Sequence, residues 1–182
     1  PREASVAPDP DATEASRGLG VAFAPWVEVR RAFDLDARWT VVTTVTRVSQ
    51  TTGPLAVRVP LTAGERVTDA RFASEQDAIV VTLDRDQQSL SFRSLLEPRE
   101  TLRLRAPTEP GATEVWVLQC SVLWRCHTSG LDPIGKGGGA HEALTFRPVA
   151  GDALAVALAL APPAAGRTRT VTHAKLALSS ND

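Results

Sequence analysis

A chain of 182 residues with 43% hydrophobic side chains can fill a core, and its length fits one domain with a tail. The net charge of -1 leaves no broad basic field for a nucleic-acid backbone or an anionic lipid surface, both of which are held by clustered Lys and Arg. Charged residues at 23% also argue against disorder of the whole chain.

The chain begins at Pro1 and contains no methionine, which reads as a piece of a larger protein. It has no signal peptide and no run of about 18 apolar residues. Pro1 to Arg17 is rich in Pro, Ala, Asp, Glu and Ser, buries too little to offset ordering, and reads as a flexible linker. Residues 18 to 182 read as a single domain.

Trp26 to Leu35 and Arg38 to Gln50 are dense in Val, Thr and aromatics, the composition of a half-buried strand, with a turn expected at Asp34 to Ala37. Leu55 to Pro60 alternates and closes on a proline, which suits a strand end. Val67 to Phe72, Ala78 to Asp84 and Gln88 to Leu96 follow as strands separated by polar turns at Ala73 to Asp77 and Asp84 to Gln87, a spacing that predicts antiparallel hairpins. In Glu100 to Ala106, Leu102 and Leu104 point inward and Arg103 and Arg105 outward.

Thr113 to Cys126 holds two of the four tryptophans and both cysteines. Trp116, Leu118, Cys120, Val122, Trp124 and Cys126 share one parity, which gives a strand with an apolar face. His127 to Glu142 reads as a long glycine-rich loop, and Leu144 to Phe146, Ala153 to Ala161 and Thr168 to Ser179 as closing strands. Ala153 to Ala161 has helix-forming residues, but Gly151-Asp152 before it and Pro162-Pro163 after it favour a strand. The pattern predicts an all-β protein, an antiparallel β-sandwich of roughly nine to eleven strands.

Val59 to Glu65 (VPLTAGE), Leu123 to Ile134 (LWRCHTSGLDPI) and Phe146 to Asp152 (FRPVAGD), each in a strand-rich setting, resemble the β-sandwich modules of large, uncharacterised multi-span bacterial membrane proteins. The similarity runs from about Arg38 to Ser179, and the cysteine pair and the GKGGG loop depart from it. Modules of that family lie outside the cytoplasmic membrane and have no catalytic residues to transfer. The resemblance implies a periplasmic or cell-surface architecture and no reaction.

Candidate chemistry is sparse. Gly135 to Gly139 (GKGGG) lacks the Ser or Thr after Lys136 and the following helix of a phosphate loop. Cys120, Cys126, His127 and His141 are zinc-ligand types, but the cysteines are six apart beside a strand, unlike a knuckle. Asp84, Arg85 and Asp86 begin a calcium-loop pattern that does not continue. Ser129 beside His127 lacks a nucleophile elbow. No catalytic, metal or cofactor residues are assigned.

Cys120 and Cys126 are expected to form a disulfide, with two unpaired core thiols as the alternative. Six steps of straight strand span roughly 20 Å, whereas a bridge needs Cα atoms about 4.4 to 6.8 Å apart, so the chain must reverse near Val122 to Trp124. Trp39, Trp116 and Trp124 are expected mostly buried, and Trp26, after Pro25, is the candidate for surface binding.

The expected function is that of a non-catalytic extracytoplasmic module of a larger bacterial protein, a spacer or protein-interaction domain. Its partner would be a protein or other domains of the parent chain, without nucleic acid or direct membrane insertion. A carbohydrate-binding module is the alternative, with glycan possible as ligand. A glycan-hydrolysing enzyme, which needs two converging carboxylates, comes third.

Overall fold

The computed structural model describes residues 26–49, 53–72, 74, 75, 77–137 and 143–162. The expected linker Pro1 to Arg17 and the expected strand Thr168 to Ser179 lie outside the described residues. Within them the regular structure is all strand: β1 (Val27–Leu35), β2 (Trp39–Arg47), β3 (Leu55–Pro60), β4 (Glu65–Val67), β5 (Ser74–Glu75), β6 (Ala78–Leu83), β7 (Ser89–Leu96), β8 (Thr101–Arg105), β9 (Ala112–Cys120), β10 (Trp124–Ser129), β11 (Gly135–Gly137), β12 (Ala143–Phe146) and β13 (Ala153–Leu160).

These strands form one seven-stranded sheet, in the order β11-β12-β9-β1-β2-β7-β4, and two three-stranded sheets, β10-β13-β8 and β3-β6-β5. Two apolar clusters tie the small sheets to the large one. Phe33, Trp39, Trp116, Leu118 and Phe146 of the large sheet pack with Leu102, Leu104, Leu154, Val156 and Leu158. Val27, Val29, Val45 and Phe92 pack with Val59, Ile79, Val81 and Leu83. Both clusters draw on the same alternation in β1, whose residues 27, 29, 31, 33 and 35 are all buried. The small sheets therefore cover the same face of the large one, side by side.

Every pairing among the described strands is antiparallel except that of β1 with β9, which run parallel from Val27 opposite Ala112 to Leu35 opposite Cys120. That pair corrects the purely antiparallel expectation. The described residues hold thirteen strands, because Ser74–Glu75 and Gly135–Gly137, expected as turn and loop, pair with β6 and β12, and because Thr113 to Cys126 divides between β9 and β10. The expected strand Val67 to Phe72 ends at Val67. Beyond it the Asp69 carboxylate accepts the Arg71 backbone N–H at 3.1 Å and the Phe72 N–H reaches the Asp69 carbonyl, so local side-chain bonding replaces a ladder.

Neighbouring strands in sequence are not always hairpins. β6 belongs to a small sheet and β7 to the large one, so the chain changes layer at Asp84 to Gln88. Arg47, buried at the end of β2, holds this crossing: its guanidinium donates to the carbonyls of Gly53 at 3.0 Å, Leu83 at 3.3 Å and Asp84 at 3.0 Å. Gln88 returns a bond from its amide to the Arg47 carbonyl at 2.6 Å.

The expected single strand Thr113 to Cys126 is also two strands in two sheets. It breaks at Ser121, where the Trp124 N–H bonds the Ser121 carbonyl at 3.1 Å and Val122 and Leu123 form the turn. The expected loop from His127 is strand as far as Ser129. Ala153–Leu160 is a strand, central in its sheet, as its flanking turn residues predict.

Candidate functional site

Three features of the described residues carry chemistry. The first is a row of polar side chains across the middle of the large sheet, between the two apolar clusters. The inward residues Glu114 on β9, Arg31 on β1, Thr43 on β2 and Ser94 on β7 are all buried and follow a diagonal, with only Arg31 and Thr43 directly opposite in register, and Glu65 on β4 extends it. Arg31 forms an ion pair with Glu65, whose other bond at that oxygen comes from the Thr62 backbone N–H at 2.8 Å. The Arg31 guanidinium also lies over the Phe33 ring, 5.1 Å from its centroid.

Glu114 accepts the Trp116 indole N–H at 2.5 Å. Burial pushes its carboxyl above the usual carboxylate range, opposed in part by the Arg31 charge and by that indole bond. The row went unread in sequence, yet its signal was there: Arg31 sits at the inward parity of VEVRRAFDL, and Glu114 shares the parity of Trp116 and Leu118. Glu65 and Glu114 are held inside the protein by Arg31 and Trp116, which is not how a pair of hydrolytic carboxylates faces a substrate.

The second feature is the cysteine pair. Cys120 and Cys126 are joined as a disulfide, with Cα atoms 6.5 Å apart. Cys120 ends β9 in the large sheet and Cys126 lies in β10 of a small one, so the bridge clamps two layers together where a cross-strand pair was expected. Both sulfurs are thereby withdrawn from the zinc reading; His141 and residues 138–140 lie outside the described residues. At the clamped turn Val122 is 66% exposed and Leu123 44%.

The third feature is the end of the molecule around the β7–β8 turn. Trp39, fully buried, meets Trp124 edge to face with ring centroids 5.5 Å apart. The Trp124 indole N–H donates to the Asp36 carbonyl at 3.0 Å. Two clefts open beside this pair, one of about 330 Å³ that reaches Trp39 and one of about 540 Å³ that reaches Trp124, and Pro98 lines both. Leu160, opposite Trp124 in the ladder, is 72% exposed at the rim, and the Ala161 N–H bonds the Leu123 carbonyl. The clamped turn thus adjoins this end through Leu123 and Ala161.

The remaining sequence candidates are dispersed. Trp26 is 38% exposed beside exposed Val48, while Trp39 and Trp116 are buried, so the described tryptophans form no exposed row for a sugar. Asp84, Arg85 and Asp86 are an exposed turn, and His127 and Ser129 are exposed on β10. Lys136 lies on β11.

No protein-family model matches the chain, and no curated protein matches it in sequence. Among solved structures it is similar to the M1 zinc metallopeptidase from Deinococcus radiodurans, at 15% identity and a TM-score of 0.42 over 73% of this chain. The chain spans 41% of that peptidase chain, and a likeness of this degree carries no argument about activity.

Proposed function

We propose that this chain is a non-catalytic β-sandwich module of a larger extracytoplasmic bacterial protein, and that it works by protein contact. The observation that carries the reading is the disulfide-clamped turn, which holds Val122 and Leu123 in solvent next to exposed Leu160. Exposed apolar side chains that are contiguous and fixed in place are a mark of interaction surfaces. Two small sheets over one face of a large one support the sandwich, and a disulfide fits an oxidising compartment. No helix of the described residues is long and apolar enough to cross a membrane.

The glycan alternative rests on Trp26 alone, and the hydrolase alternative on two glutamates that face inward. The test places a photo-cross-linking side chain at Val122, at Leu160 and, as a control, at Arg103 on the solvent face of β8, in the parent protein in cells. Discrete adducts from Val122 and Leu160 but not from Arg103 are expected. Identical patterns at all three positions would reduce the module to a spacer.

A further inference from the structure

We propose that the cleft end of this module binds a carboxylate with an apolar neighbour, presented by an acidic-apolar segment of a partner protein, and that Arg99 is the anion-binding residue. The inference rests on the contact reading above and gives the chemistry of what is contacted.

Arg99 lies where the two clefts meet. It lines the larger one with Pro98, Glu100, Trp124, Leu158 and Leu160, while its guanidinium reaches Gly64, which lines the smaller. Gly64 has φ +80°, and a Cβ there would fall 2.1 Å from Arg99 Nη2. A residue other than glycine would thus be strained and would also displace the guanidinium.

Two donors at this end lack acceptors. Arg99 Nε is buried with no hydrogen-bond partner among the described residues, and so is the indole Nε1 of Trp39, which lines the smaller cleft. Buried donors are normally paired, and two orphans behind the cleft walls leave an unmet demand for an acceptor at this end, although neither atom itself faces solvent.

The charges point the same way. Arg38, Arg66 and Arg99 line the two clefts against Glu97 and Glu100. Arg66 is engaged by Glu97 at 2.6 Å, and Arg38 and Arg99 have no carboxylate partner among the described residues. A guanidinium takes a carboxylate in a two-bond fork, and the adjoining Trp124, Leu158 and Leu160 take an apolar side chain. The larger cleft is open to solvent and ends at exposed Leu160, and the two clefts share Pro98, which suits a chain lying across them better than an isolated alkyl tail.

The test titrates the ¹⁵N-labelled full chain with an acetylated, amidated hexapeptide carrying one glutamate among leucines and alanines, and with its glutamine counterpart. The indole N–H resonances of Trp39 and Trp124 should shift while that of Trp116 stays. The glutamate peptide should bind about tenfold tighter than the glutamine one. Arg99→Gln should erase that ratio with the Trp116 resonance unmoved as evidence of folding, and Arg103→Gln should preserve it. Equal binding of the two peptides, or a ratio that survives Arg99→Gln, overturns the proposal. So does binding of decanoate, dependent on Arg99, when neither peptide binds. If cross-linking from Val122 succeeds while the peptides are not distinguished, the contact reading stands and the carboxylate chemistry falls. If the peptides are distinguished and cross-linking fails, Arg99 stands and the contact at the clamped turn falls.

Discussion

Arg31 on β1 pairs with Glu65 on β4 across two intervening strands of the large sheet, β2 and β7. Along the diagonal between them the intervening strands carry Thr43 and Ser94, small side chains buried on the same face, so the long arginine can lie across them. On β1 Arg31 stands between Val29 of one apolar cluster and Phe33 of the other.

Breaking that pair leaves an uncompensated buried carboxylate. Arg31→Met should destabilise the protein by about 3 to 5 kcal/mol, whereas Arg31→Met with Glu65→Leu should recover most of the loss. Urea unfolding at neutral pH measures both. A single variant as stable as the parent would mean that Glu65 finds other solvation.

Glu114 gives a pH signature. Because burial raises its folded-state pKa, its contribution to stability is fully present below the ordinary carboxylate range and is lost as pH rises through the raised value. Glu114→Gln keeps an acceptor for the Trp116 indole and removes the charge. Its melting temperature should exceed the parent's near pH 8, and the gap should close toward pH 4. A gap that does not change with pH would remove the ionisation argument.

The two cysteines should be unreactive toward an alkylating agent in denaturant without reductant, so the intact mass gains no alkyl groups. Replacing both by serine should cost about 2 kcal/mol, the low end expected for closing a short loop. Two alkyl groups on the unreduced protein would remove the main support for an oxidising compartment.

Trp116→Ala empties a fully buried site and strips Glu114 of its indole donor. A loss of about 3 to 5 kcal/mol is expected in denaturant unfolding. A variant that unfolds like the parent would place the ring outside the core.

Alternation made much of this legible. It located Leu55 to Pro60, the inward Leu102 and Leu104, and the strand nature of Ala153 to Leu160, because a period of two is a local property. It could not locate the break at Ser121. The turn there brings Trp124 and Cys126 inward at the parity of Trp116 and Leu118, so the pattern runs unbroken through a change of sheet. Nor could it assign the cleft end, because Trp39, Gly64, Arg99 and Trp124 come from four separated stretches that only the tertiary fold assembles.

The parallel contact of β1 with β9 bears on how the protein is made. Val27 must wait for Ala112 before its strand is enclosed on both sides, whereas β2 reaches β1 almost at once. A nascent chain therefore carries the open edge of β1 until β9 has emerged, and such non-local pairing is slow because the loop must close before contacts repay it. Cys126 follows Cys120 so closely that oxidation needs no distant partner, and the β9–β10 clamp can be in place before β9 docks on the waiting edge of β1. During synthesis this strand edge is the part of the module most in need of protection from neighbouring chains.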